Sequence, residues 1–163
     1  MSILQTENLT KIYGDGENAV HALRGINLTV EKGEFTAIVG TSGSGKSTLL
    51  HMLGGLDRPT TGKVMVDGKD IFSLSEEQLT IFRRRKIGFV FQSYNLVPVL
   101  NLYENIVLPL ELDGKKIDRG YIDQIAETLG LKDRLEALPN QLSGGQQQRV
   151  AIARAVVGKP SII

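Results

Sequence analysis

The 163 residues contain no cysteine, which excludes a disulfide framework and a thiolate metal site. No apolar run approaches the roughly 18 residues that a membrane-spanning helix needs. Residues 1–7 lack the basic and apolar regions of a secretory signal. The 19 Lys and Arg nearly balance the 18 Asp and Glu, and the net charge of +1 argues against a nucleic-acid partner. We therefore expect a cytoplasmic protein that reaches any membrane through a partner.

A glycine-rich segment with a lysine at its end is the first motif present. It matches the pattern G-x-x-x-x-G-K-[S/T] and consists of Gly40, Thr41, Ser42, Gly43, Ser44, Gly45, Lys46, Ser47 and Thr48. Glycines allow a tight loop whose N–H groups surround phosphates. Lys46 is predicted to contact the β- and γ-phosphates, Ser47 to bind Mg²⁺, and Thr48 to add a phosphate hydrogen bond. The alternative, a flexible Gly/Ser linker, is disfavoured by the Lys-Ser pair and the flanking elements.

A second glycine-containing motif lies near the C-terminus and consists of Leu142, Ser143, Gly144, Gly145 and Gln146. A helix-forming run at residues 147–157 follows it. We predict that the Ser143 hydroxyl caps this helix and that the two glycines let a ligand approach the backbone. A helix N-terminus with unpaired N–H groups suits a terminal phosphate.

The remaining periodicity predicts an α/β fold. Strands are predicted at residues 26–30, 35–39, 63–66 and 87–91, and the start of another at 162–163. Residues 47–53 are predicted to form a helix after the phosphate loop, and Asp67-Gly68 to form a hairpin turn. Residues 95–141 are predicted to form a mostly helical subdomain.

The two motifs together resemble those of ATP-binding-cassette (ABC) ATPases, and the resemblance covers residues 2–163. It implies an α/β P-loop NTPase of the ABC type with an N-terminal antiparallel β region, a partial parallel-sheet core and a helical subdomain. The implied organisation is residues 1–94 for the β region and phosphate-loop core, 95–141 for the helical subdomain, and 142–163 for the signature motif and its helix.

The resemblance also assigns roles to individual residues. Tyr13 resembles the aromatic residue that stacks on adenine, with Val20 as a further apolar contact; an ordinary strand tyrosine is the alternative. Gln92 resembles the catalytic glutamine that touches Mg²⁺ and the attacking water; a surface glutamine is the alternative. Residues 142–146 resemble the signature motif, which contacts the nucleotide of the opposite subunit.

The implied cofactors are ATP and Mg²⁺, and the implied partners are a second ATP-binding subunit and a transmembrane permease at the inner face of the cell membrane. Residues 10–14, 55–60 and 91–96 most resemble exporter and mechanotransmission ATPases, such as those of macrolide-efflux, lipoprotein-releasing and antimicrobial-peptide-resistance systems. Two alternatives stay open. One is a non-transport ABC ATPase of DNA repair or chromosome maintenance, and the other is a nucleotide-binding module that does not hydrolyse ATP.

The acids that hydrolysis requires are not found at a matching position. The family supplies them from an apolar strand that ends in Asp-Glu, and only Ile162 and Ile163 match its beginning. Asp67 follows an apolar run, but Gly68 after it predicts a turn instead. His21 and His51 do not match the family's switch histidine. We therefore expect the C-terminal core strands to be missing, the chain to be a fragment of a longer ATPase, and the chain alone to be deficient in hydrolysis.

Overall fold

The computed structural model describes all 163 residues, which form two compact units, Met1–Arg83 and Arg84–Ile163. No helix in either unit has the length and apolar character that crossing a bilayer requires. The organisation into residues 1–94, 95–141 and 142–163 stays a prediction.

An antiparallel sheet in the order β2-β1-β3-β4 forms the framework of the first unit. Its strands are β1 (Ser2–Tyr13), β2 (Val20–Glu31), β3 (Thr61–Val66) and β4 (Lys69–Asp70). Ile26, Leu28 and Val30 are half-buried and alternate with exposed residues, as the sequence predicted for a strand with one face on the core. The predicted N-terminal antiparallel region is confirmed.

A two-residue turn at Asp67 and Gly68 joins β3 to β4, with Val66 paired to Lys69. Both turn residues have positive φ angles, 52° and 75°. Positive φ at both central positions defines the type I′ turn, whose twist matches that of the flanking strands. The hairpin prediction is confirmed, and Asp67 lies in a turn.

Two helices complete the first unit: α1 (Lys46–Leu53) lies within it, and α2 (Glu76–Lys86) begins in it. Leu49, Met52 and Leu53 are the buried residues of α1, and they anchor the helix that follows the glycine-rich loop. The helix predicted at residues 47–53 is confirmed.

The strands predicted at residues 35–39 and 87–91 are wrong. Phe35 and Val39 are 96% and 86% exposed, and no strand contains them. Ile87 makes only an isolated parallel bridge with Ile162. A strand exists only where a neighbouring strand accepts its backbone hydrogen bonds. Apolar composition alone does not supply that neighbour.

Helices dominate the second unit: α3 (Leu102–Leu112), α4 (Arg119–Thr128) and α5 (Gly144–Val156). They bury one continuous apolar cluster, in which Leu102, Ile106, Ile122, Leu131 and Val150 have no exposed surface. Burial of a large aliphatic side chain stabilises a fold by roughly 1.5–3 kcal/mol. This cluster is therefore the main stabilising element of residues 84–163.

A buried carboxylate ties the end of α2 to the end of α3. The Asp113 side chain is 2% exposed and lies 2.8 Å from Arg85 Nε, 3.0 Å from Arg84 Nη2 and 3.4 Å from Lys115 Nζ. The hydrogen bond from Arg85 lowers the pKa of the Asp113 carboxyl below its ordinary value, against the opposing effect of burial. Asp113 is therefore ionised throughout the neutral range.

We expect Asp113→Asn to lower the free energy of unfolding at pH 7. Because the folded-state pKa lies below the unfolded value of about 3.9, the ion pairs stabilise the fold above that value and lose this effect as the pH falls through the folded pKa. The difference between variant and parent in urea unfolding, followed by circular dichroism, should therefore shrink below pH 4. Asp123→Asn, which breaks an exposed pair with Arg119, is the control. Equal midpoints of Asp113→Asn and parent at pH 7 would contradict this role.

Candidate nucleotide site

The glycine-rich loop closes around the side chain of its own lysine. Lys46 Nζ donates to the carbonyl oxygens of Gly40 and Thr41, at 3.0 and 2.6 Å, and to Ser44 Oγ at 3.3 Å. The loop therefore surrounds the Lys46 ammonium group, next to the first turn of α1.

A glycine in a left-handed conformation begins α1. Gly45 is the N-cap residue, with φ 88° and ψ 5°. A Cβ atom at this position would lie 2.4 Å from the Ala22 carbonyl oxygen of β2, far inside van der Waals contact. Only glycine both adopts this backbone conformation and allows the loop to approach β2 so closely.

The beginning of α1 is suited to an anion. Its first N–H groups have no intrahelical acceptors, and the helix dipole adds partial positive charge there. Lys46 is the first residue of the helix, and Ser47 is exposed beside it. Backbone N–H groups, an ammonium and a hydroxyl together fit a phosphate group and a Mg²⁺ ion bound to it.

Tyr13 lies at the end of β1, in the same unit as the loop. Its cross-strand partner is Val20, the first residue of β2. The two residues are 40% and 60% exposed. The side chain of Thr48, the last residue of the motif, lies close enough to the Tyr13 hydroxyl to act on its pKa, in the lowering direction and less strongly than the groups that raise it. The structure therefore brings Tyr13, Val20 and residues 40–48 into one region.

Asp57 and Lys11, which the sequence did not predict as site residues, hold the Tyr13 side chain in place. Its hydroxyl donates to Asp57 Oδ2 at 2.8 Å. Lys11 Nζ donates to Asp57 Oδ1 at 2.9 Å and lies 4.7 Å from the centroid of the Tyr13 ring. Burial and the Asp57 carboxylate raise the pKa of Tyr13. Burial also favours a higher pKa of Asp57, but the hydrogen bonds from Lys11 and Tyr13 outweigh it and lower that pKa.

The signature segment forms the start of α5 in the second unit. Ser143 Oγ accepts from the backbone N–H of Gln146 at 3.3 Å, and Gln146 Oε1 accepts from the N–H of Ser143 at 2.9 Å. This capping box confirms the predicted Ser143 cap. Gly144 and Gly145 occupy the exposed first turn, and Leu142 is buried in the apolar cluster.

Gln92 is exposed in a turn in the second unit. The segment after it is bound to α5: Arg154 donates to the carbonyl oxygens of Tyr94 and Asn95, at 2.8 Å each. Both residues have positive φ angles, 56° and 49°. Burial lowers the pKa of the Arg154 guanidinium. Gln92 and residues 142–146 therefore belong to one compact unit.

The hydrogen bonds between Tyr13 and Asp57 and between Arg154 and Tyr94 join residues far apart in sequence. Lys11 and Tyr13 are two residues apart on a strand, so their side chains share a face, and this much could have been inferred. Asp57 follows α1, and Arg154 lies 60 residues from Tyr94. No periodicity or short motif signals such contacts.

Comparison with known proteins identifies the family. The profile of the family described as "ABC transporter" matches residues 23–163. An uncharacterised ABC transporter ATP-binding protein of Thermotoga maritima is 51% identical over 99% of this chain and 70% of its own length. The lipoprotein-releasing system ATP-binding protein LolD of Shewanella frigidimarina is 44% identical over 99% of this chain and 69% of its own length.

A solved structure shows the same fold. The dimeric bacterial ABC transporter cassette MJ0796 superposes with a TM-score of 0.87 at 44% identity, over 96% of this chain and 70% of that one. The same cassette has also been solved in a post-hydrolysis state bound to ADP and phosphate. The profile, the relatives and the structure agree with the resemblance and with the α/β P-loop fold class. The chain belongs to the ABC transporter family, as an ATP-binding domain.

Proposed function

We propose that this chain binds MgATP through residues 40–48 and presents residues 142–146 to the nucleotide of a second ATP-binding subunit. In this arrangement Tyr13 stacks on the adenine and Gln92 contacts Mg²⁺ and the attacking water. Closure of the two subunits would drive a membrane permease at the cytoplasmic face of the membrane.

The contacts of Lys46 are the observation that carries the proposal. The ammonium is held by two carbonyl oxygens and a hydroxyl at the beginning of a helix, where a phosphate chain would also be attracted. A phosphate that enters the loop offers Lys46 stronger, charge-assisted hydrogen bonds than these neutral acceptors do. The loop thus keeps its cation in place for the ligand.

The capped start of α5 supports the role of the signature motif. The capping box uses the N–H groups of Ser143 and Gln146, while Gly144 and Gly145 form an exposed first turn without side chains. A phosphate can therefore approach these two backbone N–H groups closely. The solved relative MJ0796 is described as a dimer, which supports a second subunit as the source of that phosphate.

The permease partner is proposed from the relatives. LolD is named as the ATP-binding protein of a lipoprotein-releasing system, and other relatives are named as ABC transporter ATP-binding proteins. The same names favour a transport role over the DNA-repair alternative. We propose the exporter and mechanotransmission group as the closest functional class.

Mg²⁺ would be held by the Ser47 hydroxyl and, in the complete site, by Gln92. Bound there, it would neutralise charge on the phosphate oxygens. The 163 residues contain no Asp-Glu pair, and Asp67 lies in the hairpin turn. We therefore propose that a polypeptide of these residues binds MgATP without turning it over.

Lys46→Ala tests the site. Loss of charge-assisted hydrogen bonds, worth about 1.5–3 kcal/mol, should raise the dissociation constant of MgATP about tenfold or more. Titration calorimetry measures binding, and phosphate release measured on the same samples should stay at background for the parent chain.

Lys63→Ala is the matched control, because it removes an exposed lysine of β3 in the same unit. It should leave the dissociation constant unchanged. Equal affinities of Lys46→Ala and the parent chain would overturn the assignment of residues 40–48. Steady phosphate release by the 163-residue chain would overturn the proposed lack of turnover.

A further inference from the structure

Asp57 is the acceptor at the centre of a three-residue cluster with Lys11 and Tyr13. Its Oδ2 accepts from the Tyr13 hydroxyl at 2.8 Å. Its Oδ1 accepts from Lys11 Nζ at 2.9 Å and from the backbone N–H of Arg58 at 2.7 Å. Both carboxylate oxygens are engaged, so the orientation of the carboxylate is fixed.

The cluster is more sheltered than an ordinary surface ion pair. The side chains of Lys11 and Asp57 are 13% and 35% exposed, and Lys11 Nζ also donates to the Arg58 carbonyl oxygen at 2.7 Å. Exposed pairs usually contribute little because they are mobile and screened. Lys11 is held by two acceptors, which fixes its position against the Tyr13 ring.

The Lys11 ammonium covers one side of that ring, 4.7 Å from its centroid. A cation over the face of a tyrosine is attracted by the π-electrons of the ring. With the hydroxyl anchored at Asp57 and one face covered, the ring has a single orientation. Tyr13 is nevertheless 40% exposed, and a planar ligand can stack only on the uncovered side.

Hydrogen bonds outside the cluster also attach residues 57–60 to β1, at Thr60. The Thr60 N–H donates to the Thr10 carbonyl at 2.8 Å, and the Ile12 N–H donates to Thr60 Oγ1 at 2.9 Å. The bond between Tyr13 and Asp57 therefore acts mainly on the aromatic side chain. Its effect is to select one rotamer of the ring.

We propose that Asp57 and Lys11 are positioning residues for base recognition, which hold the Tyr13 ring with one face covered and the other presented to the nucleobase of ATP. The inference rests on the proposed function. It adds that the affinity of the site for the base, as distinct from the phosphates, is set by two residues that do not touch the nucleotide.

Binding of ATP and of inorganic tripolyphosphate, each with Mg²⁺, separates base from phosphate recognition. Without Asp57 the Tyr13 ring must be ordered when the ligand binds, which lowers the affinity. Asp57→Ala should therefore weaken ATP binding about three- to tenfold and leave tripolyphosphate binding unchanged. Tyr13→Phe, which keeps the ring and removes the anchored hydroxyl, should have a similar effect. The double variant should be no weaker than Asp57→Ala, because that variant already removes the hydrogen bond that Tyr13→Phe removes.

Asp15→Ala is the control, because it removes an exposed carboxylate two residues from Tyr13 that makes no side-chain cap bond. It should leave both affinities unchanged. Equal loss of ATP and tripolyphosphate affinity in Asp57→Ala, or additive losses in the double variant, would overturn the inference while the proposed function stands. If the parent chain binds neither ligand, the proposed function itself fails.

Discussion

Gly45→Ala is expected to have the largest effect on nucleotide binding. A Cβ atom would lie 2.4 Å from the Ala22 carbonyl oxygen and 3.3 Å from Leu23 Cδ2. The carbonyl belongs to β2 and cannot rotate away as a side chain could. The new residue would also carry the left-handed backbone of φ 88°, at a cost of about 1–2 kcal/mol. The loop must therefore move away from β2, and Lys46 with it. We expect at least about a 100-fold weaker affinity for MgATP, which corresponds to about 2.8 kcal/mol.

Gly43→Ala is a matched control within the same loop. Gly43 also has positive φ, 76°, but a Cβ atom there would have no neighbour within 4 Å. This variant carries the conformational cost without the collision, so we expect about tenfold weaker binding or less. Titration calorimetry and thermal unfolding of both variants give the comparison. Equal affinities would show that the contact with β2 does not shape the loop.

Asn105→Leu is expected to have the largest effect on stability. Asn105 has no exposed surface. Its Oδ1 accepts from the Val97 N–H at 2.8 Å, and its Nδ2 lies 3.1, 2.9 and 3.0 Å from the carbonyl oxygens of Val97, Leu100 and Asn101. Leucine has a similar shape but no polar atoms. Each buried polar group left without a partner costs about 1–3 kcal/mol, so we expect a loss of about 3 kcal/mol.

Asn101→Ala provides the comparison on the same helix. Asn101 is the N-cap of α3 and forms a capping box with Glu104, and loss of such a cap costs about 1 kcal/mol. Urea unfolding followed by circular dichroism at 222 nm reports both variants. Hydrogen exchange of the Val97 amide should accelerate in Asn105→Leu alone. If Asn105→Leu costs no more than Asn101→Ala, the buried amide is not the main support of residues 97–101.

Local patterns in the sequence predicted the elements whose causes are local. The alternation of Ile26, Leu28 and Val30 predicted β2, and Asp67-Gly68 predicted the hairpin turn, because a period of two and positive φ angles are properties of neighbouring residues. The Ser143 cap was predicted for the same reason. The family resemblance added the fold class, which the solved structure of MJ0796 confirms.

Features that depend on distant partners were missed. Residues 35–39 and 87–91 have the composition of buried strands, yet a strand needs a neighbour along its whole length, and only Ile87 finds one, at Ile162. Asp57 was missed for a related reason. A single aspartate carries no signal of a bond to a tyrosine 44 residues away.

The hydrogen bonds from Arg154 to the carbonyl oxygens of Tyr94 and Asn95 make α5 a mechanical link between two segments of the second unit. Ser143 and Arg154 are 11 residues apart on a continuous helix, a length of about 16 Å at 1.5 Å per residue. The signature motif lies at the N-terminus of α5, and Arg154, near the C-terminus, is hydrogen-bonded to the segment that follows Gln92. An unbroken helix moves as a rigid unit, so its two ends move together. A shift of the signature motif along the axis of α5 is therefore expected to displace Tyr94 and Asn95, the residues that follow the Gln92 turn, by a similar distance.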